Sequence, residues 1–181
     1  LQQKLKPREG DIIEIPAGVV IEKDKNLASD DLDLLCADRQ FHRDEGIVKG
    51  KHKGAHYYTI GQRKGLDVGG TPEPLFIIST DIDNNIIFVG QGKKHPGLYR
   101  SGLFIPQKET HWIRPDKALK TGESADYLVR IRYRQELQQA TLFQKENRVY
   151  ITFAEPQRGI TSGQFAAWYE GEELLGSGVI Q

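Results

Sequence analysis

A catalytic protein needs an activated nucleophile, a set of metal ligands or a cradle for phosphate. The sequence supplies one cysteine, Cys36. A thiol becomes a nucleophile when a base and positive surroundings lower its pKa. Asp33 and Asp38 flank this one and act in the opposite direction, so Cys36 is expected to be half-buried and inert. Among His42, His52, His56, His95 and His111, only His52 and His56 are close in sequence. An i, i+4 histidine pair holds zinc when both rings share a helical face, and Gly50 and Gly54 oppose a helix there, so no metal site is expected. The chain has no Gly-x-Ser-x-Gly elbow and no Walker loop. Gly90-Gln91-Gly92-Lys93-Lys94 could form an anion-binding nest, and reads equally well as a glycine-rich hairpin exit.

Recognition is better represented than catalysis. From Gly46 to Leu66 the chain carries Lys49, Lys51, Lys53, Arg63 and Lys64 with no acid, interleaved with Tyr57 and Tyr58. A second acid-free stretch, Gly90 to Gln107, holds Lys93, Lys94 and Arg100. Cations beside aromatic rings suit RNA, because the cations neutralise phosphate and the rings stack on unpaired bases. The densest case is Asp126 to Gln135, which reads as one strand: Tyr127, Val129, Ile131 and Tyr133 alternate with Leu128, Arg130, Arg132 and Arg134. Strand geometry would set the three arginines on one face at ~6.6 to 6.8 Å intervals, close to the run of phosphates along a nucleic-acid strand. Guanidinium also binds phosphate bidentately. The competing reading is a solvated outer face whose arginines pair with acids across the sheet.

The elements that must position these side chains read as mainly β, because short β-branched and aromatic runs alternate with Gly, Pro, Asn and Asp. Expected strands cover Ile12 to Ile15, Val19 to Glu22, Gly46 to Lys49, His56 to Ile60, Leu75 to Asp81 and Ile86 to Gly90, with a hairpin turn around Asp83-Asn84-Asn85. A second set covers Asp126 to Gln135, Leu137 to Lys145, Arg148 to Ala154, Gly163 to Tyr169 and Glu172 to Ile180. The turn residues Glu146-Asn147 and Glu170-Gly171 suggest an antiparallel meander that curls into a small barrel. Gly97, Gly102 and Pro106 place a domain boundary near Arg100 to Gln107. The expected organisation is therefore a β-rich central domain over 1–103, with an acidic insertion at about 23–45, followed by a C-terminal β-barrel over 104–181. Within the insertion, Leu32, Leu34, Leu35 and Cys36 suit a short helix begun by Asp30 and Asp31, the rest being solvated surface.

Composition excludes several classes. The 181 residues hold 25 Lys plus Arg against 25 Asp plus Glu, so no global field draws the protein to nucleic acid or a membrane, and any charged partner must be read by a local patch. One cysteine forms no internal disulfide, and no apolar run approaches the ~20 residues that span a bilayer. Residues 1–11 lack the apolar stretch of a signal peptide, and a cytoplasmic location is expected. The chain contains no methionine and opens on Leu1, which suggests either a processed chain or a piece of a longer protein, the second being the preferred reading.

Three segments carry a family resemblance: HYYTIGQRKGL from His56 to Leu66, RIRYRQ from Arg130 to Gln135, and EPQRGITSGQFAAWYEGEELLGSGVIQ from Glu155 to Gln181. Together they resemble the tRNA-uridine 2-sulfurtransferases, also called tRNA-specific 2-thiouridylases, which put sulfur on C2 of the wobble uridine, position 34, of tRNA. The resemblance covers most of the chain except Lys23 to Glu45. It implies only the central and C-terminal β-barrel domains of such an enzyme. The family's N-terminal ATP-pyrophosphatase domain carries a Ser-Gly-Gly-Val-Asp-Ser type phosphate loop and two catalytic cysteines, and neither motif occurs here. The resemblance thus implies ATP with magnesium and a persulfide sulfur-donor protein for a full-length enzyme. In that enzyme ATP adenylates the uridine oxygen and a cysteine persulfide displaces AMP. It implies no catalytic residue, cofactor or activity in this piece alone.

Where the motifs match, the resemblance assigns tRNA contacts to Arg132 and Tyr133 of RYRQ and to Gln164 of SGQFAAWY. Their chemistry suggests phosphate for Arg132, stacking or a hydroxyl contact for Tyr133, and an amide contact to sugar or base for Gln164. Arg130 and Arg134 are supporting candidates, as are Arg63 and Lys64 of the Gly61–Gly65 turn, which could instead face a catalytic domain or simply pack the central domain. Strict alternation would put Tyr133 opposite Arg132, so a bend near Gln135 and Glu136 is required. The acidic excursion departs from the family pattern and is expected to lie away from the RNA face. The other reading of the whole chain is a stand-alone β-barrel module that binds RNA or protein without catalysis.

Overall fold

A computed structural model describes residues 8–25 and 31–181. Asp30, expected to open the short helix with Asp31, lies outside them. The chain divides into two compact units, Leu1–Asn26 with Arg39–Leu98 and Leu27–Asp38 with Tyr99–Gln181. As expected from the sequence, it is mainly β.

The first unit contains β1 (Gly10–Glu14), β2 (Ile47–His52), β3 (Leu75–Asp81) and β4 (Ile86–Gln91) in the sheet order β2-β1-β4-β3. β1 runs parallel to β4 and the other pairs are antiparallel. Ile12, Ile77, Ile87 and Val89 form its apolar core with Leu66 and Leu75. The β3–β4 hairpin turns as expected: Asn85 takes a left-handed φ of 56°, and Asp81 accepts the Asn84 backbone N–H at 2.9 Å.

Two expected strands of this unit are absent. Val19 to Glu22 lies inside a helix, α1 (Ala17–Lys25), whose only buried residue is Val20. Pro16 presets the backbone for a first helical turn, and the polar Glu22-Lys23-Asp24-Lys25 run extends it, which outweighs the β-branched Val-Val-Ile triplet. His56 to Ile60 is a 3-10 turn (Ala55–Tyr57) followed by irregular chain. There the His52 ring accepts the Gly54 N–H at 2.9 Å and Asn85 Oδ1 accepts the Ala55 N–H at 2.9 Å, so side chains take backbone donors that a ladder would need.

The second unit is a seven-stranded antiparallel sheet built from β5 (Tyr99–Pro106), β6 (Thr110–Trp112), β7 (Ser124–Arg130), β8 (Gln138–Gln144), β9 (Arg148–Arg158), β10 (Phe165–Glu170) and β11 (Glu173–Val179). Its order is β5-β9-β8-β7-β10-β11-β6. The sheet curls until the Gln181 N–H donates to the Phe104 carbonyl at 3.1 Å, which brings its last strands beside β5. Val129, Ile131, Leu142, Ile151 and Trp168 fill the interior, with Trp112 edge-on to Trp168 at 5.2 Å.

The segment Arg100 to Gln107 is largely strand β5, whose Gly102 leaves room for Cys36, the sulfur of which would lie 2.6 Å from any Cβ there. The sequence reading needs two corrections in this sheet. The second set of strands is not a meander, because β10 pairs with β7 rather than β9, and β9 pairs with β5. Finally, the arginine-rich strand ends at Arg130 rather than Gln135, and Ile131 to Gln135 forms a turn.

The helix α2 (Leu32–Cys36) begins as expected, with Asp31 accepting the Leu34 N–H at 3.1 Å. It contacts β5 and β9. The expected solvated surface is only partly so: Asp33 pairs with Arg148, and Asp38 with the buried Arg100. Cys36 is fully buried rather than half-buried, because the helix lays it against the bare backbone of Gly102.

Candidate nucleic-acid interface

The turn after β7 is built by Gln135. Its side-chain oxygen accepts the Ile131 N–H at 3.0 Å, its own N–H donates to the Arg132 carbonyl at 3.1 Å, and its amide nitrogen donates to Gln157 at 2.7 Å. Ile131 anchors the turn in the core at 2% exposure, while Tyr133 at the tip is 90% exposed. The chain reverses over these residues, so Arg132, Tyr133 and Arg134 all project into solvent. Strand alternation no longer separates Tyr133 from Arg132.

Arg132 and Arg130 are oriented by neutral groups. Arg132 donates to the Gly159 carbonyl at 2.7 Å. Arg130 lies over the Tyr169 ring at 4.8 Å, with its Nε donating to the Tyr169 hydroxyl at 3.2 Å. Among the described residues, none of Arg130, Arg132 and Arg134 has an ion-pair partner. Their charge is therefore available to an anion. Carbonyl and ring partners restrict the guanidinium planes without cancelling their field.

The Gly159 to Gln164 loop joins this turn. Gly159 has φ of 66°, and a Cβ there would sit 2.5 Å from the Arg132 guanidinium, so a glycine is needed for the approach. Thr161 Oγ1 donates to the same Gly159 carbonyl at 3.2 Å, and the Gln164 N–H donates to Thr161 at 3.2 Å. Gln164 is half-buried, and its side-chain oxygen is buried without a hydrogen-bond partner. The structure thus joins Arg132 to the Gln164 loop through a short chain of hydrogen bonds, with Tyr133 next to Arg132 in the turn. It also places Phe165, 64% exposed, at the start of β10, and Tyr169 under Arg130. The sequence reading singles out neither ring; outward positions on a strand beside an arginine run are the signal that could have found them.

Arg63 and Lys64 belong to the other unit. Gln62 builds their turn, accepting the Thr59 N–H at 3.1 Å and donating to the Lys64 carbonyl at 2.8 Å, while Ile77 of β3 exchanges backbone bonds with Gly61 and Gln62 at 2.7 and 3.0 Å. Gln62 is spent on structure, and Arg63 and Lys64 stay exposed. At Gly90 to Lys94, a Cβ on Gly92 would sit 2.0 Å from a Glu73 carboxylate oxygen, and the Gly92 N–H donates to Pro74, so the chain fills that candidate nest itself.

Residues 37–91 match the family described as tRNA methyl transferase PRC-barrel domain, and residues 104–180 the family described as Aminomethyltransferase beta-barrel domain. The chain is 57% identical to the tRNA-specific 2-thiouridylase MnmA of Christiangramia forsetii, with 99% of this chain and 47% of that protein aligned. Identity to the protein of the same name from Flavobacterium johnsoniae is 50% over the same shares, and to that from Karelsulcia muelleri 43% over 99% and 45%. This chain belongs to the tRNA-specific 2-thiouridylase family. It spans about half the length of the curated relatives it matches, and corresponds to the family's central and C-terminal domains.

Membership in the 2-thiouridylase family raises the question of ATP, magnesium and a persulfide. The residues present do not fit them. Burial pushes the Cys36 thiol up to about 12, with Asp33 adding to the rise and Arg100 opposing it. His52 and His95 are buried, each with Nδ1 accepting a backbone N–H and Nε2 donating to a carbonyl, and burial lowers both pKa values. Among the described residues, no three His, Cys, Asp or Glu side chains cluster as a metal site. What the turn and its neighbouring strands present is a set of guanidinium groups without acidic partners among the described residues, beside the exposed rings of Tyr133 and Phe165.

Proposed function

We propose that this chain is the tRNA-docking part of an ATP-dependent cytoplasmic enzyme that 2-thiolates the wobble uridine, position 34, with sulfur from a cysteine persulfide. ATP, magnesium and the sulfur-bearing cysteines belong in this reading to an N-terminal ATP-pyrophosphatase domain, supplied in turn by a persulfide donor protein. The chain's own contribution is positional: it holds tRNA so that one base reaches a distant site, and alone it is inactive. The observation that carries the reading is the turn Arg132-Tyr133-Arg134, which presents cations without acidic partners around an almost fully exposed ring, within a family whose named relatives are tRNA thiouridylases. Arg132 is assigned to phosphate, Tyr133 to stacking and Gln164 to an amide contact, with Arg130 and Arg134 in support and Arg63 and Lys64 as a separate candidate patch.

The test is the salt dependence of binding to an unmodified tRNA with a wobble uridine, for the wild-type chain and Arg132→Ala. The wild type is expected to bind, and the substitution to lower the slope of log K against log salt by ~0.7 to 0.9, the release from one phosphate. Absence of binding at low salt, or an unchanged slope, would overturn the docking role of this turn.

A further inference from the structure

β10 pairs with β7 antiparallel, Ala167 facing Arg130 and Trp168 facing Val129. Along β10 the side chains alternate between core and solvent: Ala166 and Trp168 are buried at 0%, whereas Phe165 faces solvent. Phe165 thus stands on the outward face that also carries Arg130 and Tyr169. Its backbone is fixed, because Phe165 pairs with Val179 and the ladder continues through Ile180 N–H to Gln164 at 2.8 Å and Gly163 N–H to Ile180 at 2.9 Å. A ring 64% exposed offers its face to whatever partner meets this surface, and its surroundings indicate the chemistry of that partner. Those surroundings are arginines without acidic partners. A protein partner would need carboxylates to match them, whereas RNA brings phosphates and unpaired bases together.

We propose that Phe165 is a second stacking platform for an unpaired nucleobase of the docked RNA, with Arg130 of the same outward face on a neighbouring phosphate. This rests on the docking reading above and adds a residue to it. Tyr133 on the turn and Phe165 on the strand then grip the RNA by base faces, and the arginines between them grip the backbone. Stacking on a phenyl ring tolerates any base, so this contact secures affinity and position rather than sequence.

The experiment measures binding of the 181-residue chain to the same unmodified tRNA across a salt series, for wild type, Phe165→Ala, Phe165→Leu and Phe165→Trp. Stacking predicts that Ala and Leu each weaken binding roughly 5- to 150-fold with the salt slope unchanged, because no phosphate contact is lost. Trp should keep affinity within about threefold, and its added emission should be quenched when tRNA binds. Wild-type affinity in the Leu variant would show a generic apolar contact, and wild-type affinity in the Ala variant would give the ring to a protein partner or to none. Either result overturns the proposal while leaving the Arg132 reading standing. If the wild type fails to bind, the docking reading falls and this proposal with it.

Discussion

Two sets of arginines sit in the C-terminal unit and have opposite surroundings. Arg100 and Arg148 meet carboxylates brought by the acidic excursion, Asp38 and Asp33 respectively, and Arg100 is almost wholly buried. Arg130, Arg132 and Arg134 have no such partner among the described residues, and the first two bond only to a phenol and backbone carbonyls. The first set is a fastening, since charge is consumed in holding α2 on β5 and β9. The second is a surface, since charge is held in place and left uncompensated. The same residue type serves stability in one place and recognition in the other, and the partner decides which.

Removing the free set has the largest expected effect. With Arg130, Arg132 and Arg134 all changed to Gln, the salt slope for tRNA should fall by ~2 to 3. Affinity at moderate salt should drop about a hundredfold or more, while thermal unfolding moves little because the turn is held by Gln135 and Ile131 rather than by the guanidinium groups. Retention of the wild-type slope would show that tRNA does not use this face.

Breaking the fastening set should leave RNA binding alone and loosen the excursion instead. Asp38→Asn removes the carboxylate from a buried guanidinium, at a cost of about 2 kcal/mol. Cys36 reports the result, since its buried thiol reacts with an alkylating reagent only when α2 lifts. Labelling should accelerate roughly 30-fold in Asp38→Asn and stay at the wild-type rate in Arg132→Ala. Equal rates in both variants would mean that the ion pair does not secure the helix.

The sequence made this contrast only half legible. β3 falls at the bounds that its apolar run and flanking Asp-Asn-Asn turn suggest, and α2 begins at the Asp31 cap. The turn at Ile131 to Gln135 was hidden because Tyr133 and Arg134 continue the alternation of β7. What ends the strand is Gln135, whose side chain takes the Ile131 N–H while Gln157, distant in sequence, holds its other end. Charge counting failed for a similar reason. The acid-free stretch from Gly46 to Leu66 looks uniformly basic, yet Lys49 and Lys51 meet Glu14 and Asp11 of β1, the neighbouring strand, and Arg43 shares Asp11. A local tally cannot see a partner that arrives through strand pairing. The sequence reading passes over Phe165 because an apolar residue at the head of a strand ordinarily reads as core, although its alternation with Ala166 and Trp168 puts it on the outward face.

Acid tests whether binding follows the free arginines or the integrity of the other unit. His52 and His95 are both in the first unit and both neutral by their bonding, each accepting one N–H and donating to one carbonyl. Burial depresses each folded-state pKa below its unfolded value, so the unfolded chain takes up the proton first. Their contribution to stability is full above the unfolded value of ~6.5, and is lost as pH falls through the depressed folded values. Unfolding of the first unit should therefore become easier as pH falls below about 6.5, and replacing either histidine with Gln should flatten that dependence. A stability flat across this range would mean that the rings are not held neutral.

The smallest expected change is none at all, and it bears on the comparison most directly. Asp33→Asn leaves Arg148 over the Phe104 ring at 4.7 Å but without its carboxylate, creating an uncompensated arginine like those of the turn. In the sheet, β9 and β7 are separated by β8, so Arg148 does not stand on the strand pair that carries Arg130 and Phe165. If tRNA docks on β7 and β10 alone, a new free charge on β9 lies outside its track, and salt slope and affinity should match wild type within error. A steeper slope by ~0.7 to 0.9 would mean that Arg148 reaches a phosphate once released. Asp33 would then be a shield over a second docking cation, and the division between fastening and surface arginines would dissolve.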